Sequence, residues 1–293
     1  MKKLLALVLV AAALVCHAEL PKNLNVYTAH IANVPICKIL FSEYDKVYNT
    51  QSQIIVKPGA TGIIAMKAMQ SEPDLSVLCA SGVSDHVVNK ITYPEHKDAL
   101  DDLKIVSVLA TSGIVFVTSK TNTFNTLPEM LKQNKEITVG FHSLGLKTAG
   151  HSILKNSKIL WVPHKSSLEA VAALSDGSLD LYVDGSGLIP LLKTGKLKSL
   201  GYINHINAED NLLGVDLSTV YKSQSKVKLI IGVSTSLKNS RSDILELESR
   251  IKHIQSSSVV QDTIHSSNYK AYYMSSIDSE EAIRLFENAY FNK

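Results

Sequence analysis

A chain of 293 residues, 45% hydrophobic and 19% charged, with a formal net charge of +3, is long enough for two compact cores. Its lysines are scattered rather than gathered into a basic stripe, which excludes a phosphate-backbone binder, so no nucleic-acid partner is expected. No CxxC or HxxxH spacing occurs, so neither a metal site nor a cofactor is expected.

Lys2 and Lys3, the apolar run from Leu4 to Val15 and then Cys16-His17-Ala18 have the layout of a secretory signal peptide over residues 1–18, with cleavage after Ala18. The run falls well short of the ~20 apolar residues that span a bilayer. A lipidated Cys16 is the competing reading, and the bulky Val15 before it argues against that. Cleavage leaves 28 basic residues against 27 acidic ones. It also places Cys37 and Cys79 in an oxidising compartment, where a disulfide and two buried free thiols are both open.

The exported chain opens with a strand at 24–27, the loop Thr28-Ala29-His30-Ile31-Ala32-Asn33-Val34 and a helix from Pro35 to Tyr48, with Pro35 well placed in a first turn. A strand at 53–56 leads into Lys57-Pro58-Gly59-Ala60-Thr61-Gly62 and a helix at 63–69. Without Gly-Lys-Ser/Thr at its end this is a tight turn, not a phosphate cradle. A strand at 75–79 delivers Ala80-Ser81-Gly82-Val83-Ser84-Asp85-His86, small and hydroxyl residues at a carboxyl end. Two apolar strands follow at 103–110 and 113–118, and the polar segment 119–126 reads as a crossing between two lobes.

Leu127-Pro128-Glu129 opens a helix, 137–141 is a strand, and His142-Ser143-Leu144-Gly145-Leu146-Lys147-Thr148 places small and hydroxyl residues before a helix at 149–154. The segment 161–204 is a βαβ module. A strand stops at Pro163, His164 and Lys165 follow, and Ser166 with Glu169 forms a capping box for the next helix. A second strand at 179–183 delivers Asp184, Gly185 and Ser186, and a third runs from 197 to 203. In open α/β sheets ligands sit at the carboxyl ends of strands, where these loops fall. A strand at 227–233 returns the chain to the first lobe, an amphipathic helix covers 243–255, and Asp278 with Glu281 is a capping box for a closing helix. The expected lobes are 19–120 with 230–293, and 121–229.

In collinear order, Leu109-Ala110-Thr111-Ser112, Leu127-Pro128-Glu129, Val162-Pro163-His164-Lys165-Ser166-Ser167, Leu179-Asp180-Leu181-Tyr182-Val183-Asp184 and Lys193-Thr194-Gly195-Lys196-Leu197-Lys198 resemble the Bug-type, or tripartite tricarboxylate transporter, periplasmic solute-binding receptors. The Pro58-Gly59-Ala60-Thr61-Gly62 turn looks like that family's Pro-Gly-Ala-Gly-Gly turn. The match runs from about residue 24 to 202. The resemblance implies a two-lobed α/β periplasmic binding protein fold, type II-like, whose interlobe cleft holds a small carboxylate for a membrane permease. It implies ligand contacts from Thr28, His30, Ile31 and Ala32, from Ser81, Gly82, Ser84 and His86, from Ser143, Gly145, Lys147 and Thr148, from His164, and from Asp184, Gly185 and Ser186. The first loop departs from the family's Pro-Phe-x-Pro-Gly-Gly pattern and has no glycine, so it is expected to set ligand choice.

Charge supports the same mechanism independently. Beyond residue 18 the only arginines are Arg241, Arg250 and Arg284, none in a candidate loop, so an anion cannot meet an arginine clamp in the cleft. Helix amino termini and loop amides would carry the charge, with Lys147 pairing to a ligand carboxylate. His142, His151 and His164 have no acid or cysteine at ligand spacing for zinc. Ser186 lacks the Gly-x-Ser-x-Gly setting of a nucleophile, and no catalytic residue is assigned. The expected product is a monomeric periplasmic receptor. A receptor for a non-carboxylate solute or for a sensor kinase is the nearer alternative, and a secreted hydrolase or transferase the remoter one.

Overall fold

Alternation along the first strand decides the layering of the first half. Leu24 and Val26 point into one buried cluster with Ile36, Leu40, Phe41 and Tyr44, whereas Tyr27 points into another with Ile63, Met66 and Met69. The computed structural model describes residues 20–82, 86, 89–90, 93–133, 135–154, 157–204, 210–221 and 229–291. Residues 1–18, the expected signal peptide, and Ser84 lie outside the described residues, as do the side chains of Ala32 and Ser81.

The strands are β1 (Asn23–Thr28), β2 (Gln51–Val56), β3 (Val77–Gly82), β4 (Leu103–Ser112), β5 (Ile114–Ser119), β6 (Ile137–Phe141), β7 (Ile159–Pro163), β8 (Leu181–Asp184), β9 (Leu197–Ile203), β10 (Leu229–Ser236) and β11 (Lys270–Met274). They form two sheets, one ordered β11-β4-β10-β3-β1-β2 and the other β7-β6-β8-β5-β9. Each contains a parallel trio: β2, β1 and β3 in the first sheet, β7, β6 and β8 in the second. Each trio is extended by an antiparallel strand that follows a change of sheet, β10 against β3 and β5 against β8. Both faces of each sheet are covered, which is why β4 and β5 read as continuous apolar runs.

The chain changes sheet earlier than its polarity suggests. β5 pairs with β8 and β9, so the first crossing is the single residue Gly113 and not the polar segment 119–126, which turns within the second sheet's territory. Polarity marked solvent exposure there rather than a boundary. The second crossing falls between Ile203 and Leu229.

Other boundaries move for local reasons. β3 runs on to Gly82, so Ser81 and Gly82 belong to a strand end paired with β10. The helix expected at 149–154 starts at Leu144, because the Ser143 hydroxyl accepts the Leu146 amide and caps it. Ser166 accepts the Glu169 amide as expected, but the Glu169 carboxylate reaches back to the Lys165 amide, one residue beyond a closed capping box. The full box is at Thr126 and Glu129. For the last helix, Ser276–Phe291, the cap is Ser275, which accepts the Asp278 amide. The helix Ser258–Ser266 and β11 were not anticipated; β11 pairs with β4 at the sheet edge. Cys37 and Cys79 are bonded, with Cα atoms 6.0 Å apart. The bridge ties the helix Val34–Tyr48 to β3.

Candidate functional site

β8 ends on Asp184, and the carboxylate is held by three donors. Ser167 Oγ and Tyr182 Oη donate to Oδ2 at 2.7 and 2.8 Å, and the Gly185 amide donates to Oδ1 at 2.7 Å. Tyr182 sits two residues before Asp184 on the same strand, so the pleat places both side chains on one face. Its oxygen also lies 2.5 Å from His142 Nδ1, and that imidazole stands 3.8 Å from Asp184 Oδ2. Burial, then the Asp184 charge, hold the Tyr182 phenol far above its ordinary range. It is a neutral donor at any physiological pH.

The first sheet meets this group through the loop after β1. The ring of His30 lies edge-on to His142, centroids 6.4 Å apart. Burial, then the positive charge of His142, push the His30 pKa down to about 4, with Asp184 acting in the opposite sense. Asn33 fixes the loop: its Nδ2 donates to the Ala80 carbonyl at 2.7 Å, and its Oδ1 accepts from Tyr269 Oη at 3.2 Å. Ala80 carries φ +50, a left-handed conformation that non-glycine residues adopt at a cost, so the carbonyl Asn33 grips is turned out of the strand's regular path. Burial, then Asp184, push the Tyr269 phenol up to about 12. Ser186 Oγ opposes that shift, although it makes no hydrogen bond of normal geometry. Thr28 Oγ1, at the end of β1, is likewise buried without a partner.

The crossing at Gly113 abuts this cluster. Ser112 Oγ accepts from the Ser186 amide at 3.3 Å, and a Cβ on Gly185 would come within 2.5 Å of Leu229, where the chain returns to the first sheet. The loop after β8 therefore packs against both changes of sheet.

Several expected site residues stand elsewhere. His86 is buried with its pKa pushed down to about 4 by burial and then Lys90. It lines, with His30, Thr61, Gly82 and Asn89, a cavity of about 10 Å³ under the first loop, room for one water. His164 lies over Gly140 with Nε2 buried and unpartnered, on the face that also carries Leu179. Lys147 Nζ sits 5.4 Å above the Phe141 ring, and no ion pair among the described residues joins it to Asp184. Ile31 is 73% exposed. Ser143 caps its helix, Gly145 is buried within it, and Thr148 is half-buried on it. Gly82 lines the cavity rather than the cluster around Asp184.

The cluster around Asp184 also takes in Asn33, from the expected ligand loop 28–34, and His142, Ser167, Tyr182 and Tyr269, which were not among the expected contacts. Tyr182 and Asp184 share a strand face, a period-two signal available in the sequence; Tyr269 enters from a distant segment and left none. Among the described residues no group of His, Cys, Asp and Glu could hold a metal ion, and no helix is long and apolar enough to cross a membrane.

Residues 45–285 match the family described as tripartite tricarboxylate transporter family receptor. The chain belongs to that receptor family. The matched span starts beyond the 28–34 loop, the segment where the sequence departs from the family's pattern, and reaches well past residue 202. Solved structures agree on the fold. A Rhodopseudomonas palustris protein with adipate superposes with a TM-score of 0.76 at 16% identity, covering 93% of this chain and 96% of its own. The periplasmic binding protein BugD gives 0.75 at 13%, covering 93% and 98%. MatC from Rhodopseudomonas palustris, with bound malate, gives 0.68 at 15%, covering 92% and 99%. No curated protein matches the chain in sequence. The receptor thus has the two-lobed α/β fold of periplasmic binding proteins, one sheet to each lobe.

Proposed function

We propose that the receptor is exported to the periplasm through residues 1–18, captures a small carboxylate-bearing solute between its sheets as a single chain, and presents it to the membrane permease of a tripartite transporter. The observation that carries this reading is the convergence of His30, His142, Asp184 and Tyr269 from loops and strand ends of both sheets, centred on the 6.4 Å contact of the two imidazoles. A solute held there touches both lobes, so binding energy is available to favour the closed arrangement. The crossing at Gly113 is a hinge in this reading. Structural neighbours solved with malate and with adipate support the ligand class. Catalysis forms no part of it: the Asp184 carboxylate is taken up by three donors, and Ser186 Oγ has no hydrogen-bond partner among the described residues.

Thermal shift with a panel of succinate, malate, adipate, citrate and amino acids tests the reading. Stabilisation by a carboxylate without turnover is expected. No shift with any carboxylate would overturn the ligand class, and product formation would favour a hydrolase or transferase.

A further inference from the structure

The cluster around Asp184 fixes where one proton sits. Tyr182 has a single hydroxyl hydrogen; His142 Nδ1 lies at 2.5 Å and Asp184 Oδ2 at 2.8 Å from its oxygen, and the nearby Ser167 hydroxyl spends its own hydrogen on Asp184 Oδ2. A carboxylate oxygen offers no hydrogen, so the phenol must donate to Asp184. Its oxygen then accepts, and the remaining neighbour, Nδ1 of His142, must be the donor. His142 is thereby held as the Nδ1–H tautomer when neutral. Its Nε2 then carries a lone pair and makes no hydrogen bond to a described residue, in a side chain that is 16% exposed.

A lone pair facing an anionic solute is repulsive. The same nitrogen becomes a charged donor when it gains a proton, on a ring that stands 3.8 Å from Asp184 Oδ2. The titratable groups that contact His142 are His30 from the first loop and Tyr182 and Asp184 from β8; Tyr269, just before β11, is coupled to Asp184, and Lys147 on the helix Leu144–Leu154 lies over Phe141. His30 does not compete for the proton, because burial above all pushes its pKa down to about 4. No arginine is present in any loop of the cleft.

We infer that His142, oriented by the Tyr182–Asp184 relay, is the cation that receives the solute's carboxylate, and that capture is coupled to uptake of one proton on its Nε2. The inference rests on the carboxylate reading above. The proton comes from solvent and ends on Nε2; no covalent bond is made or broken.

Titration calorimetry of the full-length exported receptor, with malate or adipate in buffers of different ionisation enthalpy, reads the proton directly. At pH 8 close to one proton taken up per solute is expected, together with affinity that rises as the pH falls toward 6. His142→Gln should abolish the uptake and weaken binding about tenfold or more. His30→Gln should keep the uptake, and Tyr182→Phe, which removes the orienting oxygen, should reduce the affinity while sparing far-UV circular dichroism. Binding with no proton uptake at pH 8 overturns the inference and leaves the carboxylate reading standing, as does loss of uptake in His30→Gln but not His142→Gln. So does loss of affinity in Lys147→Ala alone, since lysine is already charged at pH 8. Failure of every carboxylate in the panel to bind overturns both.

Discussion

The two edges that meet at the proposed site are held by different chemistry. The first is fastened from behind: the Cys37–Cys79 bridge joins the helix that follows the ligand loop to the strand beside it, and Asn33 joins that loop to Ala80 and Tyr269. The second is fastened from within, by hydrogen bonds converging on the Asp184 carboxylate. A covalent tie constrains position and carries no charge. A hydrogen-bonded carboxylate constrains position and also raises the pKa of the phenols beside it, so the proposal concentrates electrostatic recognition at the second edge and leaves shape and the imidazole of His30 to the first.

The sharpest way to test that division is to remove each fastening. Replacing Cys37 and Cys79 together by alanine opens a loop with a sequence separation of 42 and is expected to cost about 3–4 kcal/mol in urea unfolding. Solute proton uptake should be unaffected, because the second edge is untouched. Asp184→Ala leaves Ser167, Tyr182 and the Gly185 amide without their acceptor and is expected to cost about 2–3 kcal/mol, with loss of solute-coupled proton uptake. If the cysteine variant instead lost uptake while Asp184→Ala kept it, the division of labour would be reversed. Asn33→Ala removes the acceptor of Tyr269 and the donor to Ala80, for an expected loss of about 1–2 kcal/mol. Its effect on affinity should exceed that of an exposed neighbour such as Ile31→Ala; equal effects would show that the loop needs no anchor.

How far the sequence revealed this depends on the range of the interaction. The β8 strand, the Ser166 cap and the loop Asp184-Gly185-Ser186 follow from spacing within a few residues, and all are present. The crossing at Gly113 was hidden because β4 and β5 are equally apolar and only their pairing partners differ. Tyr269 and Asn33 meet across 236 residues, and nothing local in either segment encodes that contact. In the sequence His142 only begins a small-residue loop; its contact emerges when Tyr182, 40 residues later, is brought to its Nδ1. The disulfide stood as one of two open readings because spacing cannot decide whether two cysteines in apolar segments face each other.

The smallest effect near neutral pH is expected from the first edge's histidines, and it distinguishes the edges by sign. His30 and His86 have folded-state pKa values pushed down to about 4, by burial above all, against about 6.5 for an unfolded imidazole. Between those values the unfolded chain binds more protons than the folded one. Stability contributed by keeping these rings neutral is therefore complete above pH 6.5 and is lost as the pH falls toward 4. Carboxylates also titrate at the acid end, so the informative quantity is the difference between the parent and each of His30→Gln and His86→Gln, followed by melting temperature from pH 7 to pH 5. Both substitutions should flatten the fall, even where His86→Gln lowers the baseline by disturbing a buried site. Solute affinity, governed by His142, should change in the opposite direction over the upper part of that range, rising as stability falls. A parent whose stability and affinity decline together with pH, or variants whose slopes match the parent's, would show that the first edge does not exclude protons and that the contrast between the two edges fails.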